Sequence, residues 1–264
     1  MRAAWRPAKA VVLAAGFGTR MRPLSAAIPK PLLPVWGRPA LWHSLRLLRR
    51  WGVKDVLINL HHAPGPVLNF IRAQAGSWDL RVTFSFEAEI LGTGGALRQA
   101  AWFPDDAPFW MINADIAAAV SPQPFLAAFR RRDPLAALWL HPDVGPRTVE
   151  MRGGLIRSFR SCHPGADGTY TFCGLQLLSQ QILDFLPPAG FATIVGAYEA
   201  AQKRGRRIEG ICVPGSYWAD LGTPDNYLAA HAEIRARHRR HQPGGELYSG
   251  HGVRRSSGIR YRGF

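Results

Sequence analysis

The sequence predicts an α/β fold with a Rossmann-like, mixed but mainly parallel sheet that is flanked by helices. Two observations support this fold class. Short apolar runs alternate with amphipathic stretches along the first half of the chain, and a glycine-rich turn directly follows the first apolar run. A third observation adds a smaller antiparallel part, because residues 147–174 alternate short strand-like pieces with Gly and Asp turns.

The elements are predicted in order along the chain. The run Val11-Val12-Leu13 indicates a buried strand, and leucines at helical spacing predict an amphipathic helix over residues 40–51, capped by Gly52. Farther along the chain, a strand is followed by a glycine turn at residues 92–95, and this turn leads into another helix. The same criteria predict strands at 56–60, 81–86, 109–115, 136–140 and 207–213, and helices at 66–74, 124–132, 194–203 and 223 to about 237.

The first glycine turn has the composition of a phosphate-binding loop. Gly16 and Gly18 free the backbone to approach a ligand, and Arg20, Arg22 and Lys30 follow closely. Exposed amide groups and guanidinium groups complement an oligophosphate, while lysine adds a point charge. At the carboxyl end of a parallel strand, this turn lies where open α/β sheets bind their ligands.

Two better-known phosphate loops do not fit the turn. A P-loop would end in Gly-Lys followed by Ser or Thr, whereas this turn continues Gly18-Thr19-Arg20. A dinucleotide fingerprint would need a third glycine where Met21 stands, and it would need an acidic residue farther along to hold a ribose. A Rossmann cofactor is therefore disfavoured.

The stretch Leu13 to Pro31 resembles the signature of the sugar-1-phosphate nucleotidyltransferases, which reads Leu-Ala-Ala-Gly-x-Gly-Thr-Arg, then Pro-Leu, then Pro-Lys-Pro. Further stretches resemble the same family in the same order, over about residues 9–237. These stretches are 87–97 with Leu-Gly-Thr-Gly-Gly, 109–115 ending in Asn-Ala-Asp, 172–176 with Phe-x-Gly, and 216–227 with Trp-x-Asp-x-Gly-Thr-Pro. The chain is similar to mannose-1-phosphate guanylyltransferases and to the uridylyltransferases of N-acetylmuramate 1-phosphate.

The resemblance implies a set of site residues and a bound Mg²⁺. Asp115 and Asp220 would bind the metal, Arg20 and Lys30 would act in catalysis, and Asn113 and Gly174 would contact the sugar. The nucleotide would be bound by Leu13, Ala14, Ala15, Gly16, Gly18, Thr19, Arg20, Glu87, Gly92 and Thr93. The expected partners are a nucleoside triphosphate and a sugar 1-phosphate, and the expected product is a nucleotide sugar. One departure is the apolar run 116–120, where the family usually has polar residues.

Glu87 favours a guanine nucleotide. An ionised carboxylate only accepts hydrogen bonds, and guanine offers N1–H and its 2-amino group side by side. Uridylyltransferases that resemble this sequence also have Glu at this position, so both GTP and UTP remain candidates. A catalytically silent relative that senses nucleotide sugars is the alternative function, although such a relative would be expected to have lost one of the cations or carboxylates.

Composition limits the remaining function classes. The formal charge of +15 would suit a nucleic-acid partner, but the excess is spread along the chain and consists mainly of arginine, so no nucleic-acid partner is predicted. The three cysteines lack metal-ligand spacing. No apolar run is long enough to cross a membrane, and no signal peptide is visible, so a cytoplasmic location is predicted.

The expected organisation is one nucleotidyltransferase domain over residues 1–237. Residues 1–120 would form its nucleotide-binding half, and residues 121–237 would form the half that holds the smaller antiparallel, sugar-binding part. Residues 238–264 are basic and rich in Gly, Ser and His. They are predicted to form a tail, with the start of a left-handed β-helix as the less favoured alternative. The oligomeric state is left open.

Overall fold

The computed structural model describes residues 5–74 and 76–240 of the chain, with side chains described up to residue 233 of the last helix. Its strands are β1 (Lys9–Leu13), β2 (Pro34–Val35), β3 (Arg38–Pro39), β4 (Asp55–Leu60), β5 (Arg81–Phe86), β6 (Phe109–Asn113), β7 (Ile116–Ala119), β8 (Ala136–His141), β9 (Val149–Arg152), β10 (Leu155–Ser158), β11 (Thr169–Leu178), β12 (Ile208–Ile211) and β13 (Tyr217–Asp220). The helices are α1 (Leu24–Ala27), α2 (Ala40–Arg50), α3 (Pro64–Gln74), α4 (Gly92–Gln99), α5 (Gln123–Arg132), α6 (Ile194–Lys203) and α7 (Pro224–Arg240).

The predicted α/β fold is confirmed. One nine-stranded sheet has the order β5-β4-β1-β6-β11-β8-β12-β10-β9. Strands β5, β4, β1 and β6 are parallel neighbours, as are β8 and β12. Strand β11 runs antiparallel between β6 and β8, and β9 and β10 add an antiparallel hairpin at one edge. The sheet is therefore mixed and mainly parallel, and its antiparallel part lies in the second half of the chain.

Both faces of the sheet are covered, which explains why its central strands are continuous apolar runs. Successive residues of β1 lie on opposite faces: Val12 packs in a core with Leu45 and Trp110, and Val11 packs in a second core with Leu97 and Tyr198. All six side chains are buried. The first core lies against α2, as the leucine spacing of that helix predicts.

The structure corrects the sequence prediction at the second glycine stretch. Residues 92–95 were expected to form a turn before a helix, but α4 begins at Gly92 itself. Gly94 and Gly95 are buried within the helix, where an added Cβ at Gly94 would lie 2.8 Å from the carbonyl oxygen of Thr193. Close backbone packing requires glycine here, and this outweighs the low helix propensity of the residue.

A second difference concerns the two segments that follow Asn113 and precede Gly222. Residues 116–119 form β7, which the sequence did not predict as a strand, and β7 pairs antiparallel with β13. Asp220 is opposite Ile116 in this register, and the amide of Leu221 donates to the Asp115 carbonyl oxygen at 2.9 Å. The pairing brings together the two predicted metal-binding motifs, which lie about one hundred residues apart in sequence.

The C-terminal prediction is only partly covered by the described residues. The last helix runs to Arg240, three residues beyond the expected end. The tail prediction for residues 241–264 lies outside the described part of the chain. Among the described residues, no helix is both long enough and apolar enough to cross a membrane.

Candidate active site

A cavity of about 360 Å³ opens at the carboxyl ends of β1, β4, β5 and β6. Leu13 and Asn113 end their strands, Asn59 lies one residue before the end of β4, and Glu87 directly follows β5. Lys30, Asn113 and Asp115 line this cavity. Every residue that the sequence predicts to bind the nucleotide lines it as well: Leu13, Ala14, Ala15, Gly16, Gly18, Thr19, Arg20, Glu87, Gly92 and Thr93. The topology therefore collects three separate motifs around one space.

The glycine loop is held in shape by its neighbours. Gly18 has a φ of +67°, which L side chains rarely adopt, and its carbonyl oxygen accepts a hydrogen bond from the Ser25 hydroxyl at 2.7 Å. A Cβ at Gly18 would lie 3.1 Å from the Cβ of Lys30. Phe17, which is half exposed, packs edge-on against His61 with ring centroids 5.0 Å apart. The loop thus leaves the strand in a fixed bend beside Lys30.

Two cations lie at the cavity. The Lys30 ammonium forms an ion pair with the Asp115 carboxylate, and the side chains of the two residues are 11% and 27% exposed. The Arg20 guanidinium extends toward Gly222, where its Nη2 is 3.2 Å from the point that a Cβ on Gly222 would occupy. The Asp220 carboxylate lies 2.8 Å from the same point. Each predicted cation is therefore close to one of the two predicted carboxylates.

Asp220 does not line the cavity itself, but it contacts Gly222, which does. Its Oδ1 accepts from the Gly222 amide at 2.9 Å, and its Oδ2 accepts from the Asn226 side chain at 3.3 Å. Because β13 pairs with β7, Asp220 sits diagonally across the ladder from Asp115. The structure thus places the two predicted metal-binding residues on adjacent chain segments.

Asn59 is a site residue that the sequence reasoning missed. Its Oδ1 accepts from the Ala14 amide at 2.7 Å, and its Nδ2 donates to Glu87 Oε1 at 2.6 Å. The other oxygen of Glu87 accepts from the Leu91 amide at 2.9 Å. Asn59 and Glu87 are 4% and 5% exposed. The carboxylate of Glu87 is therefore already hydrogen-bonded at both oxygens while it lines the cavity.

The predicted sugar contacts lie on the side of the cavity next to β11. The ladder between β11 and β8 shifts register between Phe172 and Gln176, and Gly174 has a φ of +73° within this irregularity. A Cβ at Gly174 would lie 2.7 Å from the side-chain nitrogen of Asn113. The indole N–H of Trp218 donates to the Cys173 carbonyl oxygen at 2.9 Å. Asn113 lines the cavity, whereas Gly174 packs against the Asn113 side chain and does not line the cavity itself.

A family model for nucleotidyl transferases matches residues 9–148, which is more than half of the chain. The chain belongs to the nucleotidyl transferase family. The matched segment contains the glycine loop, Glu87 and Asp115, and the family resemblance inferred from these motifs is confirmed.

Individual relatives agree with this assignment. The mannose-1-phosphate guanyltransferase of Schizosaccharomyces pombe is 27% identical over 246 residues, which are 89% of this chain and 66% of that protein. The mannose-1-phosphate guanyltransferase of Aspergillus fumigatus is 36% identical over 128 residues, which are 47% of this chain and 34% of that protein. The chain thus spans less than two thirds of the length of such curated relatives.

Among solved structures, HddC from Yersinia pseudotuberculosis, complexed with GMP-PN, has the same fold. Its TM-score is 0.71 at 23% sequence identity, and the match covers 86% of this chain and 99% of HddC. At this identity the likeness supports the fold and does not extend to the ligand.

In this nucleotidyl transferase family member, a loop from the second half of the chain closes over the start of α4. The Ala192 carbonyl oxygen accepts from the Gly94 amide at 2.8 Å, and the Ala192 amide donates to the Leu91 carbonyl oxygen at 2.9 Å. The Thr93 hydroxyl accepts from the Ile194 amide at 2.8 Å. The Gly94 amide in the first turn of α4 is therefore bound by protein, and Thr93 has a structural partner in addition to its predicted place at the nucleotide.

Proposed function

We propose that the chain transfers a nucleotidyl group from a nucleoside triphosphate to a sugar 1-phosphate and releases pyrophosphate. One observation carries the proposal: a phosphate-type glycine loop, two cations and the Asp115 carboxylate line a single cavity, and the Asp220 carboxylate lies next to Gly222 of its lining. The names of the guanyltransferase relatives support the same reaction class. The nucleotide would occupy the half formed by residues 1–120, and the sugar would contact residues of the 121–237 half.

The reaction needs charge compensation more than proton transfer. An oxygen of the sugar 1-phosphate attacks the α-phosphorus, and pyrophosphate leaves in line with the new bond. The attacking phosphate is already ionised, so no general base is required. Arg20 would hold the β- and γ-phosphates through its guanidinium group, and Lys30 would neutralise charge on the reacting phosphates. To do so, the ammonium of Lys30 would exchange part of its contact with Asp115 for phosphate oxygens.

The carboxylates fit a bound Mg²⁺. Carboxylate oxygens are the ligands that Mg²⁺ takes in phosphoryl-transfer sites, with substrate phosphates and water completing its coordination. Asp115 and Asp220 supply such oxygens from adjacent segments beside the cavity. Within the described part of the chain, no cluster of three or more His, Cys, Asp or Glu side chains is placed to hold a metal ion. Bound there, Mg²⁺ would supply positive charge to the α-phosphate and the sugar phosphate.

The nucleobase would lie against Glu87, and guanine is our preferred base. Each carboxylate oxygen of Glu87 uses one acceptor position for a protein donor, and a carboxylate offers about four in all. The remaining positions can accept N1–H and the 2-amino group of guanine together. UTP is the second candidate, because its single N3–H can occupy only one of these positions.

The sugar identity depends on the surroundings of Asn113, Gly174 and β7. We propose mannose, a heptose, a muramic acid derivative or glucose as the sugar. The three cysteines are free, in keeping with a reducing, cytoplasmic setting, where the product would serve the synthesis of cell-envelope polysaccharides.

Pyrophosphate release measured over four triphosphates and a panel of sugar 1-phosphates tests the reaction. We expect turnover with one sugar, dependence on Mg²⁺, and a preference for GTP. Asp220→Asn keeps the shape of the side chain and one acceptor oxygen, which can still accept from the Gly222 amide, and the exposed Asn226 amide can turn to present its oxygen to the new NH2 group. It should therefore lower turnover by roughly a hundredfold or more while the urea midpoint changes little. Nucleotide-sugar binding without turnover by the unaltered protein would instead support a silent sensing relative and refute the proposal.

A further inference from the structure

Asn59 connects three loops around the cavity. It stands near the carboxyl end of β4, between β1 and β5 in the sheet. Through its side chain, the Ala14 amide of the glycine loop is joined to the Glu87 carboxylate, which in turn holds the Leu91 amide at the entrance to α4. These bonds are 2.6–2.9 Å long and involve the side chains of Asn59 and Glu87, which are both buried, and in such surroundings hydrogen bonds are strong and unpaired polar groups are costly.

The chemistry of this network requires an amide at position 59. The Ala14 amide can only donate, so it must meet the side-chain oxygen of Asn59. The side-chain nitrogen is then directed toward the Glu87 carboxylate, which can only accept. An aliphatic residue would satisfy neither neighbour, and a carboxylate would place two like charges in contact.

We propose that Asn59 is a positioning residue that sets nucleotide affinity and base preference by fixing the Glu87 carboxylate relative to the glycine loop. The proposal rests on the proposed nucleotidyl transfer and deepens it. Asn59 donates to one oxygen of the Glu87 carboxylate, and the Leu91 amide donates to the other. The carboxylate is therefore fixed in one orientation, and so are its remaining acceptor positions that face the cavity. The same side chain fixes the Ala14 amide, so the base and the phosphates are bound in a constant relation to each other.

Removing the amide with Asn59→Ala should loosen this arrangement. We expect the Kd for GTP, measured by calorimetry without acceptor sugar, to rise roughly ten- to a hundredfold, as for loss of a hydrogen bond to a buried charged group. The KM for GTP should rise with it, while kcat stays within about threefold, because the contact is made equally in the ground and transition states. Amide exchange at Ala14 and Leu91 should become faster in the nucleotide-free protein.

A double variant, Asn59→Asp with Glu87→Gln, reverses the direction of the central hydrogen bond. Asp would accept from the Ala14 amide and from the Gln side chain, whose oxygen would accept from the Leu91 amide. All three contacts and the net charge are preserved, so we expect the slow exchange of Ala14 and Leu91 to return. The residue facing the base would now be an amide, so the ratio of the Kd for UTP to the Kd for GTP should fall.

Tyr198→Phe provides a matched control. It removes another buried hydrogen bond, the one of 2.6 Å to Gln176, and Tyr198 does not line the cavity. It should lower the urea midpoint and leave the Kd and KM for GTP unchanged. If Asn59→Ala behaves like this control, or if the double variant does not slow exchange at Ala14 and Leu91, the positioning role is refuted. A protein with the expected exchange behaviour but no turnover would refute the proposed function alone.

Discussion

Replacing Gly92 with alanine tests how tightly the loop of residues 187–193 holds the start of α4. Gly92 has a φ of +73°, and an added Cβ would lie 2.5 Å from the carbonyl oxygen of Ala192 and 2.8 Å from the ring of Phe191. A contact of 2.5 Å with backbone cannot be relieved by turning a side chain. The loop or the helix must therefore move.

Gly190 offers a matched control in the same loop. Its φ of +77° is nearly the same, but nothing lies within 4 Å of an added Cβ. The left-handed conformation should cost about 1–2 kcal/mol in either variant. Gly92→Ala should lose about 1–3 kcal/mol more, as expected for overpacking. This difference is a sizeable part of the roughly 5–15 kcal/mol that stabilises a typical domain.

Urea unfolding, followed by tryptophan fluorescence, measures both costs. Buried Trp110 and Trp139 should report loss of the core. Calorimetry with GTP adds a functional measurement, because Gly92 lines the cavity. We expect Gly92→Ala to bind GTP more weakly and Gly190→Ala to bind it normally. Equal unfolding free energies for the two variants would show that the loop moves away from the added Cβ without loss of stability, which would refute tight packing of Gly92 against Ala192 and Phe191.

Two further predictions concern buried titratable groups. Burial lowers the pKa of His43 below its usual 6.5, so the unfolded chain binds the proton more strongly and stability falls as the pH drops through and below 6.5. His43→Gln should therefore lose less unfolding free energy than the unaltered protein between pH 7 and pH 5; an identical pH dependence in the two proteins would contradict this. Burial raises the pKa of the Cys173 thiol, whereas Cys162 is exposed. At pH 8, iodoacetamide should label Cys162 in the folded protein and Cys173 only after unfolding, and mass spectrometry of the labelled peptides would expose rapid native labelling of Cys173.

Local pattern was sufficient to predict the central strands and the helices that pack on them. The apolar run of β1 and the leucines of α2 are both consequences of burial, so their spacing indicates their structure. Motif resemblance added the nucleotide residues, which the structure collects around one cavity. Their individual roles remain predictions, because proximity to a cavity does not define a chemical role.

Other features depend on contacts between distant segments. Strand β7 is a short run of Ile and Ala, and its strand conformation depends on pairing with β13. The contact between Asn59 and Glu87 depends on the register of β4 and β5, in which Leu60 is opposite Phe86. The sequence pattern of each strand does not reveal how the two strands are aligned. Gly92 and Gly94 resemble turn residues for the same reason, since the loop that requires their small size is about one hundred residues away.

The position of β11 affects how the chain could be divided. Strand β6 lies between β1 and β11, and four of its five residues are buried. A fragment ending at residue 120 would retain the glycine loop, Glu87 and Asp115, yet it would present the apolar strand β6 as an open edge with unpaired amides. Such a fragment should aggregate instead of binding nucleotide. The second half of the chain therefore supplies the strand that pairs with β6 and covers its edge, and any functional truncation must keep residues 169–178.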